Sequence, residues 1–316
     1  MKCDEDVRIL QDDVDKLANL LAIIILSQRQ CNLSRCVTYY LVAIAVADFL
    51  VIITGCILNR ISRIYFSYSV LSTTPACCLN AALVYATRDC SVWLTVAFTV
   101  DRFIAICCQS LKTKYCTEKS ASVIIGVIYA LSCCKNIPFY FIYQPLYIQD
   151  GVPWFCDIKP TFHTSPAWQT YNWLDRILAP FLPFLIILLL NVLNVRHILV
   201  ASRARKRLLG AENSEDTEMA NRKRSIILLF TISLSFLLLW VTYIARFLYR
   251  MVTGDEYVSS LGFSNQQYIL QETTNMLQLL SSCNNFFIYV VSQNKFREEL
   301  KKVLVYPFTR PTDRFL

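Results

Sequence analysis

Charge and histidine are scarce in this chain. Only 17% of its 316 residues are Asp, Glu, Lys or Arg against 55% hydrophobic, and it holds six glycines and two histidines. That composition is too apolar for an ordinary soluble fold of this length, so a membrane is its natural solvent. In the arrangement reached below, His163 and His197 fall on opposite sides of that membrane. A histidine-based catalytic triad therefore has no second histidine to draw on, no nucleophile motif accompanies either residue, and no enzymatic activity is expected. Segments of about ten alternating residues, the mark of an outer-membrane barrel, are missing. No internal period of about 20 to 50 residues is visible, which argues against transporters built from repeated halves. A charged start followed by an apolar core and a small-residue cleavage site is also missing, so no signal peptide is expected. The fourteen cysteines are scattered rather than set in metal-binding pairs, which speaks against zinc, and most read as apolar packing residues.

Long apolar runs are what the chain does have. A helix needs about 20 apolar residues to cross a bilayer core of ~30 Å. Runs at 36–58, 76–108, 120–143, 174–200, 223–250 and 266–291 meet that length. A seventh, Leu17 to Leu26, is continuously apolar for roughly 15 Å of helix, about half a span. Val7, Leu10, Val14, Leu17 and Leu21 recur at helical spacing, so an amphipathic helix extending outward past Asp12, Asp13, Asp15 and Lys16 is one reading and an incomplete first span the other. The predicted fold is an all-α membrane protein: a seven-transmembrane helix bundle over 17–291 with a short or atypical first helix. Residues 1–16 form an extracellular N-terminus or the outer part of that helix, and 292–316 an amphipathic helix and a short tail.

Lysine and arginine orient the bundle. With the N-terminus outside, 20 of the 31 fall in inner loops and the tail and eight outside, as the positive-inside rule favours. Arg88, Lys135 and Arg246 lie in or beside spans. The net charge of +8 then belongs to a cytoplasmic face and needs no nucleic acid to explain it. The outer stretch from Gln144 to Asn172 is rich in aromatics, prolines and turn formers, as a lid over a pocket would be. The inner stretch from Ser202 to Arg224 has helical-looking ends and a solvated middle. After the last span, Phe296, Leu300, Val303 and Leu304 recur at helical spacing beside Lys295, Arg297, Lys301 and Lys302, the pattern of a helix lying on the inner leaflet. From Pro307 onward a disordered tail is expected. Cys77, or its neighbour Cys78, opens the third span on the outer side and Cys156 sits within the longest outer loop. A bridge from Cys77 to Cys156 is predicted in that oxidising location. Asn32-Leu33-Ser34 fits the glycosylation pattern but falls in an inner loop, where it would go unused.

Asn19, Ala47-Asp48, Asp101-Arg102-Phe103, Trp240 and the run Asn285 to Tyr289 together resemble rhodopsin-like (class A) G-protein-coupled receptors over nearly the whole chain. Within that superfamily, Asn19 to Gln28, Ser91 to Cys107 and Asn284 to Arg297 look like the orphan branch of probable G-protein coupled receptor 139. Members of that branch respond to tryptophan and phenylalanine and suggest coupling through the calcium-mobilising G-protein class. The departures are specific. Thr242 replaces the proline usual two residues after the sixth-helix tryptophan, Phe286 replaces the proline after Asn285, and Asn191 stands where most class A receptors carry tyrosine. Tyr243 takes the place of the branch's arginine, with Arg246 one turn away, which weakens the case for an aromatic amino acid ligand.

The resemblance implies roles. Asp101, Arg102, Phe103, Asn191 and Tyr289 would serve G-protein coupling, with Asp101 the counter-charge that Arg102 needs at rest. Many class A receptors also lock this arginine to an acidic residue at the start of the sixth helix. That region reads Asn221-Arg222-Lys223-Arg224, with Glu218 a turn back, so ligand-independent signalling is expected. Val92, Pro183, Phe236 and Trp240 resemble the packing switch beneath the ligand, against the alternative of ordinary core. Asp48 sits deep in an apolar helix, where an ionised carboxylate must find a cation or a proton. With Ser91, Ser281 and Asn285 it resembles the family's sodium pocket, the alternative being a protonated aspartate tying helices together. Arg88 and Asp89 point about 100° apart on the third helix and cannot easily pair face to face. Asp89 should face the fourth or fifth helix. Arg88 would face a ligand cavity completed by Val84, Tyr85, Tyr243, Phe247 and Asn275, suited to a carboxylate-bearing aromatic molecule; an internal ionic network without ligand contact is the alternative.

The expected function is a plasma-membrane receptor, N-terminus outside and C-terminus cytoplasmic, that transmits a small-molecule or peptide signal to a heterotrimeric G protein. No cofactor is expected beyond a possible structural sodium ion, and its partners are the ligand, the G protein and the lipid bilayer. The alternatives are a small-solute transporter or channel, and a heptahelical protein that does not signal.

Overall fold

The computed structural model describes residues 17–28, 33–61, 69–209, 217–253 and 266–309. The proposed extension through Val7, Leu10 and Val14, the pattern at Asn32 and residues 310–316 lie outside them. So do the side chains of Glu218, Leu304 and Asn221 to Arg224.

Among the described residues, seven helices form the bundle and an eighth follows, packed against its core. Short, apolar α1 (Leu17–Ser27) buries Ala22, Ile25 and Asn19. The second helix, α2 (Arg35–Ile52), continues as a π-helical segment, Ile53–Ile61. Helix α3 (Thr74–Cys107) starts with a proline in its first turn, where the missing N–H is harmless. Helix α4 (Glu118–Asn136) is capped by Thr117, whose side chain accepts from the Ser120 N–H, with Glu118 at the positive end and Lys135 at the negative end of its dipole. Helix α5 runs from Pro166–Arg176 through a π-helical segment, Ile177–Phe181, into Leu182–Leu209. It is followed by α6 (Thr217–Thr253), α7 (Gln266–Ser292) and α8 (Asn294–Thr309).

Five of these segments, Arg35–Leu58, Thr74–Cys107, Glu118–Ile142, Pro166–Ala201 and Ile226–Tyr249, are long and apolar enough to cross a membrane. The run at 266–291 was expected to match them. Helix α7 has the length, 27 residues, but not the apolarity. Its Thr274, Ser282 and Asn285 are turned into the bundle and buried, so polar groups that dilute its hydropathy never meet lipid. Apolar side chains on the outer faces, such as Leu131, Leu189, Leu238 and Val291, are exposed, as a bilayer-solvated bundle requires.

The fifth span starts earlier than expected: Pro166 to Asn172, assigned to the outer loop, are helical within Pro166–Arg176 and extend the span outward. It breaks at Ala179 (φ −151°, ψ 107°), ahead of Pro180. The residue before a proline is pushed from the helical to the extended region.

The loop after α4 is a hairpin. Strand β1 (Tyr143–Gln144) pairs antiparallel with β4 (Asp157–Ile158), and β2 (Tyr147–Gln149) with β3 (Val152–Trp154). The tip, Asp150 (φ 52°) and Gly151 (φ 77°), takes the left-handed conformations that let a two-residue turn match strand twist. A disulfide joins Cys77 to Cys156 as predicted, with Cα atoms 6.0 Å apart. Phe155 N–H donates to Ser72 O (2.7 Å) and Thr74 Oγ1 to Phe155 O (2.6 Å). The hairpin is thus pinned to the start of α3.

The main core lies at the opposite end, where Tyr40, Leu94, Phe98, Leu229 and Tyr289 pack with Phe296 of α8. Phe296 is fully buried and Leu300 and Val303 pack beside it, while Lys295, Arg297, Lys301 and Lys302 are exposed. The amphipathic pattern is therefore realised, and the helix continues through Pro307 to Thr309 rather than ending before it.

Candidate functional site

Two adjoining cavities open between the spans toward the hairpin end. The deeper one, about 290 Å³, runs from Tyr85 and Arg88 past Trp240 and Phe236 to Ser91 and Asn285. The shallower, about 180 Å³, is lined by Tyr85, Arg88, Asp175, Arg176, Tyr243, Arg246 and Phe247. All six residues assigned to a ligand cavity meet here: Tyr85, Arg88 and Asn275 line both spaces, Val84 the deeper, Tyr243 and Phe247 the shallower. Aromatic packing fixes the walls. Tyr85 stacks on Phe139 at 4.0 Å and 12° and lies 4.9 Å below the Arg88 guanidinium. Phe247 packs against Trp173 and Phe181 (5.7 and 5.6 Å), and Tyr243 against Trp240 (5.9 Å).

Behind this wall is a cluster of four charges, two of which the sequence reading left without a role. Lys135 Nζ of α4 sits 2.6 Å from Asp89 Oδ2 and 2.5 Å from Asp175 Oδ1 of α5. Asn136 Nδ2 donates to the same Asp89 oxygen at 2.7 Å, so of the two helices expected Asp89 faces the fourth. Arg88 approaches Asp175 at 3.6 Å and Asp89 at 3.8 Å. Arg88 and Asp89, neighbours on one helix, thus meet only at ion-pair range. Two cations and two anions balance, which is the condition for burying them together. Lys135 and Asp175 could have been found by pairing every intramembrane charge, since Arg88 and Asp89 alone leave no account of Lys135. Arg176, Gln271 and Gln278 also line the shallower cavity without having been anticipated.

Below the cavity, Phe236 and Trp240 stack (5.4 Å, 26°) and cluster with Val92, Val96 and Ile187. Pro183 is buried beside Phe184, which packs on that cluster. Trp240 Nε1 donates to Ser281 Oγ at 3.2 Å. Ser281 is therefore engaged by the tryptophan and lines the deeper cavity together with Ser91 and Asn285. Asp48 is fully buried and accepts from Ser91 Oγ (2.5 Å) and Asn285 Nδ2 (2.7 Å). Among the described residues no cation pairs with it. Carboxylate, hydroxyl and amide oxygens are ligands suited to a small hard cation, so Asp48, Ser91 and Asn285 fit sodium on donor chemistry. No cluster of His, Cys, Asp and Glu of metal-site type occurs among the described residues.

At the far end of α3, Arg102 donates through Nε (3.0 Å) and Nη2 to Asp101 Oδ2, and both residues are buried. Two thiols that the sequence did not single out hold the other side of Asp101. Cys36 Sγ donates to Asp101 Oδ1 (3.1 Å) and Cys116 Sγ to its carbonyl (3.5 Å). Burial and the nearby Asp101 charge push the Cys116 thiol up to about 11, so it remains a neutral donor. Phe103 is half-buried and Asn191 buried. Tyr289 is buried against Phe296 (5.7 Å), its hydroxyl without a hydrogen-bond partner among the described residues.

Comparison with known proteins agrees with this layout. A family model described as 7 transmembrane receptor (rhodopsin family) matches residues 18–289. The FMRFamide receptor of Drosophila melanogaster is 25% identical over 295 residues, covering 89% of this chain and 50% of its own length. Probable G-protein coupled receptor 142 of Mus musculus is 25% identical over 273 residues (84% and 65%). The thyrotropin-releasing hormone receptor of Mus musculus is 24% identical over 294 residues (84% and 69%). The chain thus spans about half the length of the fly receptor it matches.

Proposed function

This chain belongs to the rhodopsin family of seven-transmembrane receptors, and from that premise we propose that it carries an extracellular ligand signal across the plasma membrane to a heterotrimeric G protein. The hairpin end faces outside and the Arg102 end with α8 faces the cytoplasm. The exposed basic face of α8 and the excess of lysine and arginine in the loops at that end support this orientation. One observation carries the reading: the cavity that begins at Arg88 and Tyr85 ends on Trp240 and Phe236, so a ligand in it bears directly on the packing that joins α3, α5 and α6.

A ligand that binds one packing of these helices better than the other shifts the population toward it, and by no more than that difference in affinity. At the far end, the Asp101 and Arg102 pair is the element to be released. Freed of Asp101, Arg102 becomes a fixed cation at the mouth of a cleft able to receive the C-terminal helix of a G-protein α subunit. Asn191 and Tyr289 serve the same coupling role.

The ligand fitting these walls is aromatic, bears a carboxylate and has about the size of an amino acid, tryptophan being a suitable first probe. A short peptide entering with one end is the second reading, favoured by the peptide receptors among the relatives. A sodium ion at Asp48, Ser91 and Asn285 would balance the buried carboxylate in the resting packing.

The test is G-protein activation, read as calcium and cyclic AMP, in cells displaying the tagged chain at the surface, with Arg102→Ala alongside. Expected is a basal signal above an empty-vector control that Arg102→Ala abolishes and tryptophan raises. Surface display with a basal signal indifferent to Arg102 would overturn the coupling. A tryptophan-insensitive signal that Arg102→Ala abolishes would keep the coupling and reject tryptophan as ligand.

A further inference from the structure

Lys135 does not line either cavity, yet it decides what Arg88 can offer a ligand. Its ammonium lies 2.5 Å from Asp175 and 2.6 Å from Asp89, and Asn136 adds a donor to Asp89. Both aspartates are almost wholly buried, with 5% and 1% side-chain exposure. Arg88 is held far more loosely. Its 3.6 and 3.8 Å approaches to these carboxylates exceed hydrogen-bond distance. Its Nε, buried, has no hydrogen-bond partner among the described residues. It is also the charged residue that lines both cavities, and the shallower space adds Arg176 and Arg246 against the single Asp175.

We propose that Lys135 is a positioning residue that sets the charge class of the ligand. By taking both aspartates it leaves the Arg88 guanidinium facing the cavity as the receiver of a ligand carboxylate or comparable small oxyanion. Without Lys135, two buried carboxylates compete for Arg88, draw it away from the cavity and leave the charged floor net negative. Arg88 alone is therefore not the determinant; the pairing pattern behind it is. This inference rests on the reading of the two cavities as the ligand site.

Two probes with the same ring and opposite charge, indole-3-acetate and tryptamine, test it by saturable binding to the purified full chain in lipid nanodiscs. The wild type is expected to prefer the acid by roughly tenfold to a hundredfold, the worth of a charge-assisted hydrogen bond. Lys135→Met should erase or invert that preference, Lys135→Arg should keep it, and the charge-balanced pair Lys135→Met with Asp175→Asn should restore it. Asp175→Asn alone should strengthen it, a change of opposite sign that keeps the test intact should Lys135→Met fail to yield folded protein.

A purely structural lysine would weaken both probes equally in Lys135→Met. That result, a wild type with no preference or no binding of the acid, or an Asp175→Asn variant with weakened acid preference would each overturn the proposal. No G protein is present in this assay. A chain that signals in cells through Arg102 but shows no acid preference keeps its function and loses only this inference.

Discussion

Helix α3 carries two buried charge clusters, one near its middle and one near its C-terminal end, and the two are built on opposite plans. Near the hairpin, Arg88 and Asp89 are tied to Lys135 on α4 and Asp175 on α5, residues 40 to 47 positions apart in the bonded pairs. At the other end, Asp101 and Arg102 are sequence neighbours on one helix, and the cross-helix contacts to Asp101 come from thiols, weak donors without charge. The first cluster cross-links three spans, so helix movement there must break ion pairs in low dielectric. In the second, the two charges sit side by side on one helix, so spans can part around the Asp101–Arg102 pair without separating its members. A receptor that must hold a ligand at one end and open at the other has reason to place its stiff cluster and its soft one in that order.

The largest expected effect tests the stiff end. Asp89→Ala leaves Lys135 and Arg88 to share the single carboxylate of Asp175 and should cost about 3–5 kcal/mol, the range for breaking a buried ion pair. It would be read as lost surface display and a shortened thermal half-life in detergent; a loss under about 1 kcal/mol would erase the contrast. Next, Cys156→Ser releases the hairpin from α3 and should cost about 2–4 kcal/mol, with a reducing agent reproducing the shift in the wild type. At the soft end, Cys36→Ala should cost only about 1 kcal/mol and leave coupling dependent on Arg102, measured as thermal inactivation alongside G-protein activation. A drop as large as that of Asp89→Ala would show the thiol to be a structural tie. Smallest is Arg35→Gln, which breaks the exposed pair with Glu118 (2.9 Å, side chains 69% and 37% exposed). The expected loss is below about 1 kcal/mol and shrinks further with added salt, since both groups remain hydrated.

The bundle was legible because a bilayer imposes a length and an apolarity that a sequence displays directly. Helix α7 was found in the same way, though it is the least apolar of the six runs. It was read as an apolar run of spanning length, while its polar face, buried against the other spans, holds its hydropathy below that of the five apolar segments. The hairpin had a local signal, Asp150-Gly151 between apolar and aromatic residues, that could have named its turn. The cavity residues came together as expected because family resemblance placed each on a known helix face.

Composition and periodicity by themselves determined a membrane-embedded helical bundle, its amphipathic end helix and, through the distribution of lysine and arginine, an expected orientation. They also marked Arg88 and Asp89 as charges in need of partners. Only the tertiary structure decided who those partners are. A charge in a low-dielectric interior is satisfied by whatever opposite charge lies within a few ångströms, and that proximity depends on which faces of α3, α4 and α5 meet. Spacing along one helix fixes the direction in which Arg88 points. The close pairing of Lys135 with Asp89 and Asp175, which leaves Arg88 to the cavity, exists only once three helices are packed.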